Sequence, residues 1–162
     1  DMGPLVTGQH LDKVTGYVED GVSAGAELVV DGRGLSIDGH EEGFFLGGCL
    51  FDRVTPEMRI YQEEIFGPVL VVIGFDDDDD AVRIANESTY GLSGMITSAD
   101  LDRAKAVARR IRTGTLGING GIWYGADAPF GGYKGSGLGR QGGIEGLEIF
   151  TETKTVGWPA ES

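Results

Sequence analysis

Val69-Leu70-Val71-Val72-Ile73-Gly74-Phe75 is a continuous apolar, largely β-branched run, the pattern of a strand buried on both faces rather than one alternating between core and water. The segments after it decide the class. Asp76 opens a helical segment over 76–87, residues 93–97 read as a second strand, 100–112 as a second helix and 115–119 as a third strand. In that second helix Leu101, Ala104, Ala108 and Ile111 share a face. Asp100 and Asp102 sit in its first turn and Arg109, Arg110 and Arg112 in its last, so both signs of charge suit the helix dipole, and Gly114 then stops it. Strand, helix, strand, helix, strand predicts an α/β fold, a parallel sheet with flanking helices. In such sheets sites form at the carboxyl ends of strands, which directs attention to the segment after residue 119.

Upstream of the run, Leu11, Val14, Val18 and Val22 recur at helical spacing behind Thr7, a capping residue, and the pattern stops at Gly25. Glu27-Leu28-Val29-Val30 reads as a short strand, and 32–43, rich in Gly and charge, as a loop. At the far end, 147–156 is rich in Thr, Ile and Phe and is expected to be a strand.

Composition limits function without naming it. The chain has 162 residues, enough for one domain of ordinary size, and its 40% apolar and 24% charged content suits a packed core. No apolar run approaches the ~20 residues of a membrane-spanning helix. Net charge is −13: residues 1–100 hold 20 acids against 5 bases, and 101–162 hold 6 acids against 8 bases. Nucleic acid and anionic membranes both need a basic surface, so neither is an expected partner. One cysteine, Cys49, excludes an internal disulfide and a multi-cysteine zinc site, and makes a reducing, cytoplasmic setting the expectation.

Thirteen of the 29 glycines fall between Gly114 and Gly146, where backbone can turn tightly and approach other groups closely. Gly137-Leu138-Gly139-Arg140-Gln141-Gly142 spells a G-x-G-x-x-G. No buried strand runs into it, and the acid about 20 residues on, Glu161, stands in the tail after Pro159, so it reads as a turn into a short helix. Asp76 to Asp80 is a run of five aspartates, explained by a helix N-terminus and a hydrated face; a calcium loop would need spaced ligands and a turn glycine. Lys134 and Arg140 read as solvated bases beside flexible glycines.

Two stretches carry a family likeness. Gln62-Glu63-Glu64-Ile65-Phe66-Gly67-Pro68-Val69 and Pro129-Phe130-Gly131-Gly132-Tyr133-Lys134-Gly135-Ser136-Gly137 resemble the aldehyde dehydrogenase superfamily, specifically the C-terminal part of its catalytic domain. The likeness runs from Met2-Gly3-Pro4-Leu5 through Lys154-Thr155. It implies an NAD(P)-dependent enzyme that oxidises an aldehyde to a carboxylic acid, or with coenzyme A to a thioester, through a cysteine thiohemiacetal and thioester. It further implies that Glu64 accepts hydrogen bonds from the nicotinamide ribose hydroxyls of NAD or NADP and that Phe66 packs at the nicotinamide end. A carboxylate can take two hydroxyl donors side by side, which suits that role. In the loop after residue 119, Ile122, Tyr124 and Phe130 are expected to line the aldehyde tunnel, with Trp123 a weaker candidate. Residues 1–145 would be a partial catalytic domain and 146–162 an oligomerisation strand and tail that builds a homodimer or homotetramer.

In the family the reactive cysteine, the general-base glutamate and the dinucleotide-binding domain precede the matched region, and only 63 residues stand before Glu64. With a start at Asp1 rather than methionine, the expectation is a piece of a longer enzyme, inert by itself and prone to self-association. Cys49 lies in the wrong place for the nucleophile and reads as a buried structural thiol. Two alternatives stand beside this reading: a non-enzymatic assembly module, and a thiol hydrolase in which Cys49 pairs with His40.

Overall fold

In the computed structural model, which describes residues 2–121 and 124–160, Thr7 caps the first helix from an extended backbone, its hydroxyl accepting the His10 N–H at 3.1 Å. Helix α1 (Gly8–Ser23) ends at Ala24, and Gly25 takes the left-handed position beyond it with φ 93°. One face of α1 buries Val14, Tyr17 and Val18 against Ala26, Leu46, Phe51, Val54, Met58, Ile60 and Ile65. Gly21 permits this approach. A Cβ there would stand 2.9 Å from both Ile60 Cδ1 and Phe51 Cζ.

The core of this first unit, which ends at Gly74, rests on a three-stranded sheet of order β1-β2-β3: β1 (Glu27–Val30), β2 (Cys49–Asp52) and β3 (Val69–Val71). Strand β2 runs antiparallel to β1 and parallel to β3, with Cys49, Leu50 and Phe51 opposite Val69, Leu70 and Val71. Two expectations are corrected by this sheet. It is mixed, and its central strand β2 was not anticipated. Nor is the 69–75 run buried on both faces: the ladder stops at Val71, Val69, Val71 and Ile73 pack on the core, while Leu70 is 64% and Phe75 58% exposed. An edge strand covered on one side alternates in and out, whatever its composition. A short helix, α2 (Arg59–Gln62), links β2 to β3.

The second unit starts at Phe75. Its strands β4 (Ser93–Ile96) and β5 (Thr115–Ile118) pair in parallel as a two-stranded sheet, Ser93 with Thr115 through Ile96 with Ile118. Helix α3 (Asp78–Glu87) is capped by Asp77, whose carboxylate accepts the Asp80 N–H at 2.8 Å, and α4 (Leu101–Ala108) by Asp100, which accepts the Arg103 N–H at 2.9 Å. The aspartate run is thereby explained: one residue caps, and Asp78, Asp79 and Asp80 pair with Arg103, Arg110 and Arg83. Helix α4 stops at Ala108, short of the expected residue 112, with Arg109 as its C-cap. Gly114 therefore does not end it. A Cβ on Gly114 would lie 1.5 Å from the Gly131 carbonyl oxygen, so glycine there is demanded by backbone passing backbone.

Helix α5 (Gly143–Glu148) corrects the last expected strand. Leu147 and Glu148 belong to that helix, and 151–160 is exposed chain without regular structure. An extended segment becomes a strand only when a neighbour completes its ladder, and among the described residues none does. No helix among the described residues is long and apolar enough to cross a membrane.

Candidate functional site

The turn between α2 and β3 presents its side chains by alternation. Glu64 points outward, Ile65 is 8% exposed within the core, and Phe66 is 73% exposed. Ile65 thus works as a peg that fixes the backbone while the residues on either side face solvent. Phe66 sits at φ 57°, a left-handed conformation that costs a non-glycine residue on the order of 1–2 kcal/mol and persists only where its surroundings hold it. They do hold it. The His10 imidazole Nε2–H donates to the Phe66 carbonyl at 2.9 Å, and the two rings stack at 6.2 Å between centroids. Gly67 lies against Val14, where a Cβ would stand 2.6 Å from Cγ1. The Pro68 carbonyl accepts the Cys49 N–H at 2.8 Å, tying the turn to β2.

The two adjacent glutamates differ in what they hold. Glu63 accepts the buried Tyr17 hydroxyl at 2.6 Å and Arg59 Nε at 3.1 Å, and Arg59 also reaches Asp20 at 2.8 Å while lying 4.2 Å from the Tyr17 ring centroid. The Arg59 guanidinium, then the Tyr17 hydroxyl, hold the Glu63 carboxyl below the ordinary glutamate range, and the bond to Glu63 raises the Tyr17 hydroxyl. The Glu64 carboxylate has no hydrogen-bond partner among the described residues and stands free to accept donors. This free carboxylate can accept two hydroxyl donors side by side, and the Phe66 ring two residues on, though stacked with His10, is otherwise largely exposed.

In the second unit, the loop after β5 is pinned at its start. Asn119, at φ 51°, accepts the Ser98 N–H at 2.9 Å and donates to the Ser98 carbonyl at 3.0 Å. Farther along, Tyr124 and Phe130 come together with ring centroids 5.8 Å apart, tilted by 56°. They line an open hollow of about 320 Å³ with Ala126, Pro129 and Gln141. Reciprocal 2.7 Å bonds between Phe130 and Gln141, and Gly143 N–H to the Ala126 carbonyl at 2.8 Å, shape its wall. Ile122 and Trp123 lie outside the described residues.

The remaining sequence candidates have structural roles. Cys49 is 3% exposed and its sulfur accepts the Gly32 N–H at 3.3 Å, whereas His40 is exposed with its ring beside Phe45, so the two form no dyad. Lys134 and Arg140 are not solvated bases. Lys134 Nζ donates to the carbonyls of Asn86 and Ser88 at 3.1 and 2.7 Å, and Arg140 Nη1 to those of Gly132 and Gly139 at 2.9 and 2.8 Å. Gly142 and Gly143, both at positive φ, carry the chain into α5. Sequence reasoning passed over His10 and Glu63. Only the pairing of α1 with the later turn reveals His10, whereas Arg59 four residues before Glu63 was a readable helical ion-pair spacing.

This α/β chain, with its small sheets and flanking helices, resembles solved aldehyde dehydrogenases. The sequence model of the Aldehyde dehydrogenase family matches residues 1–156, and the chain belongs to that family. It is 47% identical to malonate-semialdehyde dehydrogenase of Pseudomonas aeruginosa, covering 98% of the chain and 33% of that protein. It is 43% identical to betaine aldehyde dehydrogenase of Bacillus subtilis, covering 96% and 32%. A crystal structure of a Mycobacterium tuberculosis aldehyde dehydrogenase complexed with NAD+ superposes with a TM-score of 0.88 at 43% identity, over 98% of this chain and 32% of that one. The chain spans about a third of the length of the curated relatives it matches.

Proposed function

We propose that this chain is the C-terminal part of the catalytic domain of an NAD(P)-dependent aldehyde dehydrogenase, whose complete form oxidises an aldehyde to a carboxylic acid or, with coenzyme A, to an acyl thioester. The observation that carries the reading is the outward presentation of Glu64 and Phe66 on either side of the buried Ile65, in a chain that matches the family over 156 residues. Glu64 would hold the nicotinamide ribose through its hydroxyls, and Phe66 would cover the nicotinamide end. When bound, NAD or NADP takes up the hydride that leaves the aldehyde carbon. Tyr124 and Phe130, with Ile122, would wall the aldehyde side and keep water from its apolar part.

The nucleophilic thiol and the general base belong, in this reading, to polypeptide beyond these 162 residues. The buried Cys49 does not substitute for that thiol, so the chain alone is inert. Residues 1–145 contribute to one catalytic domain and 146–162 to homo-oligomer assembly. The lone buried thiol suits a reducing cytoplasm.

Kinetics of the full-length enzyme containing this segment test the assignment. Glu64→Gln should raise the KM for the nicotinamide cofactor about tenfold or more, since hydrogen bonds to an ionised group contribute about 1.5–3 kcal/mol, while the KM for aldehyde changes little. Equal cofactor KM in the two proteins would remove Glu64 from the site. Production of reduced cofactor by the 162-residue chain alone would refute the division of labour.

A further inference from the structure

We propose that His10 is a positioning residue for the cofactor site, acting through Phe66. The inference rests on the assignment of Glu64 and Phe66 to the nicotinamide end of the cofactor. His10 and Val14 lie four residues apart on one face of α1, and both meet the same turn: His10 at the Phe66 carbonyl and ring, Val14 at Gly67. The strained left-handed backbone falls on Phe66, although glycine, which takes that conformation without penalty, is the next residue. A bond to the carbonyl and a stacked ring are what such a residue needs in order to stay in place. The Phe66 ring is otherwise largely exposed, and His10 is its one aromatic neighbour among the described residues.

His10 is itself fixed. Its backbone N–H is the donor to the Thr7 cap, and α1 is anchored through Val14, Tyr17 and Val18. A carbonyl can only accept, so Nε2 carries the proton in this bond. Loss of the imidazole would leave the turn tethered by Ile65 and Gly67 but would free the Phe66 ring and its carbonyl to reorient. The cofactor would then have to reorder the residue on binding, and its affinity falls accordingly.

The test titrates NAD+ into the full-length enzyme without aldehyde, following quenching of protein fluorescence, for wild type, His10→Leu, His10→Gln, Phe66→Gly, the His10→Leu/Phe66→Gly double variant and Glu64→Gln. His10→Leu should weaken NAD+ about five- to tenfold, with the KM for aldehyde and the melting temperature of the cofactor-free enzyme essentially unchanged. His10→Gln, whose amide can still donate to the carbonyl, should recover most of the loss. In the Phe66→Gly background the effect of His10→Leu should be much smaller, because the ring through which it acts and the left-handed strain are gone while only the main-chain carbonyl remains. An undiminished effect in that background, or no effect of His10→Leu in wild type while Glu64→Gln and Phe66→Gly both weaken binding, overturns the positioning role alone. Unchanged affinity in Glu64→Gln and Phe66→Gly instead overturns the underlying assignment of the site.

Discussion

Neighbouring carboxylates with the same intrinsic chemistry are separated in this turn by what reaches them. Glu63 closes a bond to the hydroxyl of Tyr17, a residue only 2% exposed, and Arg59 bridges it to Asp20 on α1. Removing its charge leaves a buried donor poorly matched, so Glu63→Gln should lower the melting temperature, whereas Glu64→Gln should leave it unchanged. The pH dependence stems from the depressed Glu63 carboxyl, held down first by Arg59. A carboxyl whose folded value lies below its unfolded value stabilises the fold fully above the unfolded range, and that stabilisation is lost as pH falls through the folded value. The difference in melting temperature between wild type and Glu63→Gln should therefore be largest near pH 7 and shrink as pH falls below about 4. Circular-dichroism melts at several pH values measure it, and a gap that widened on acidification would contradict the assignment. Tyr17 titrates in the opposite sense: its raised hydroxyl favours the fold while neutral, and that contribution is lost only in strong alkali.

Two glycines of α1 separate packing from propensity. A Cβ on Gly16 would meet nothing within 4 Å, so Gly16→Ala should stabilise by up to about 1 kcal/mol through helix propensity. Gly21→Ala gains the same propensity but drives a methyl into Ile60 and Phe51, and overpacking of about 1–3 kcal/mol should win. Denaturant unfolding of the two variants should move the midpoint in opposite directions, and a stabilising Gly21→Ala would mean that the α1 interface yields more easily than its contacts indicate. The capped helices were the legible part of the sequence, whereas the four-residue α2, which has no side-chain cap, was not anticipated. Thr7, Asp77 and Asp100 accept the donors their positions require, so α1, α3 and α4 start within two residues of where capping chemistry puts them. Strands were legible only as propensity. Composition cannot say which edges find partners, so β2, a strand of only four residues just after Gly47 and Gly48, was missed, and the 147–156 stretch, apolar enough for a strand, holds the end of α5 and unpaired chain. At the candidate site, the motif pointed to Glu64 and Phe66. The device that holds Phe66 lies 56 positions earlier in the sequence, and no local pattern connects them.

Across the whole chain, apolar surface and charge act against one another. Leu70 is 64%, Phe150 83% and Trp158 81% exposed, and strand β3 has no partner along one edge among the described residues. Exposed apolar side chains and open edges of this kind favour association. Opposing it is a net charge of −13 on 17.1 kDa, concentrated in the first 100 residues, which repels like copies at low ionic strength. Screening reaches contact distances at high salt, where the Debye length falls from about 10 Å at 0.1 M to about 3 Å at 1 M, while apolar association is not weakened. The 162-residue chain should therefore self-associate, and more so as sodium chloride is raised. Multi-angle light scattering should give a mass above 17.1 kDa that grows with protein and salt concentration. Salt-induced dissociation would assign the contact to ion pairs instead, and a monomer under all conditions would show that these apolar groups need no cover. Replacing Phe150 and Trp158 by serine separates the sources of association. If the terminal segment drives it, the double variant should be monomeric at low salt with its melting temperature unchanged, because neither side chain is buried in the fold.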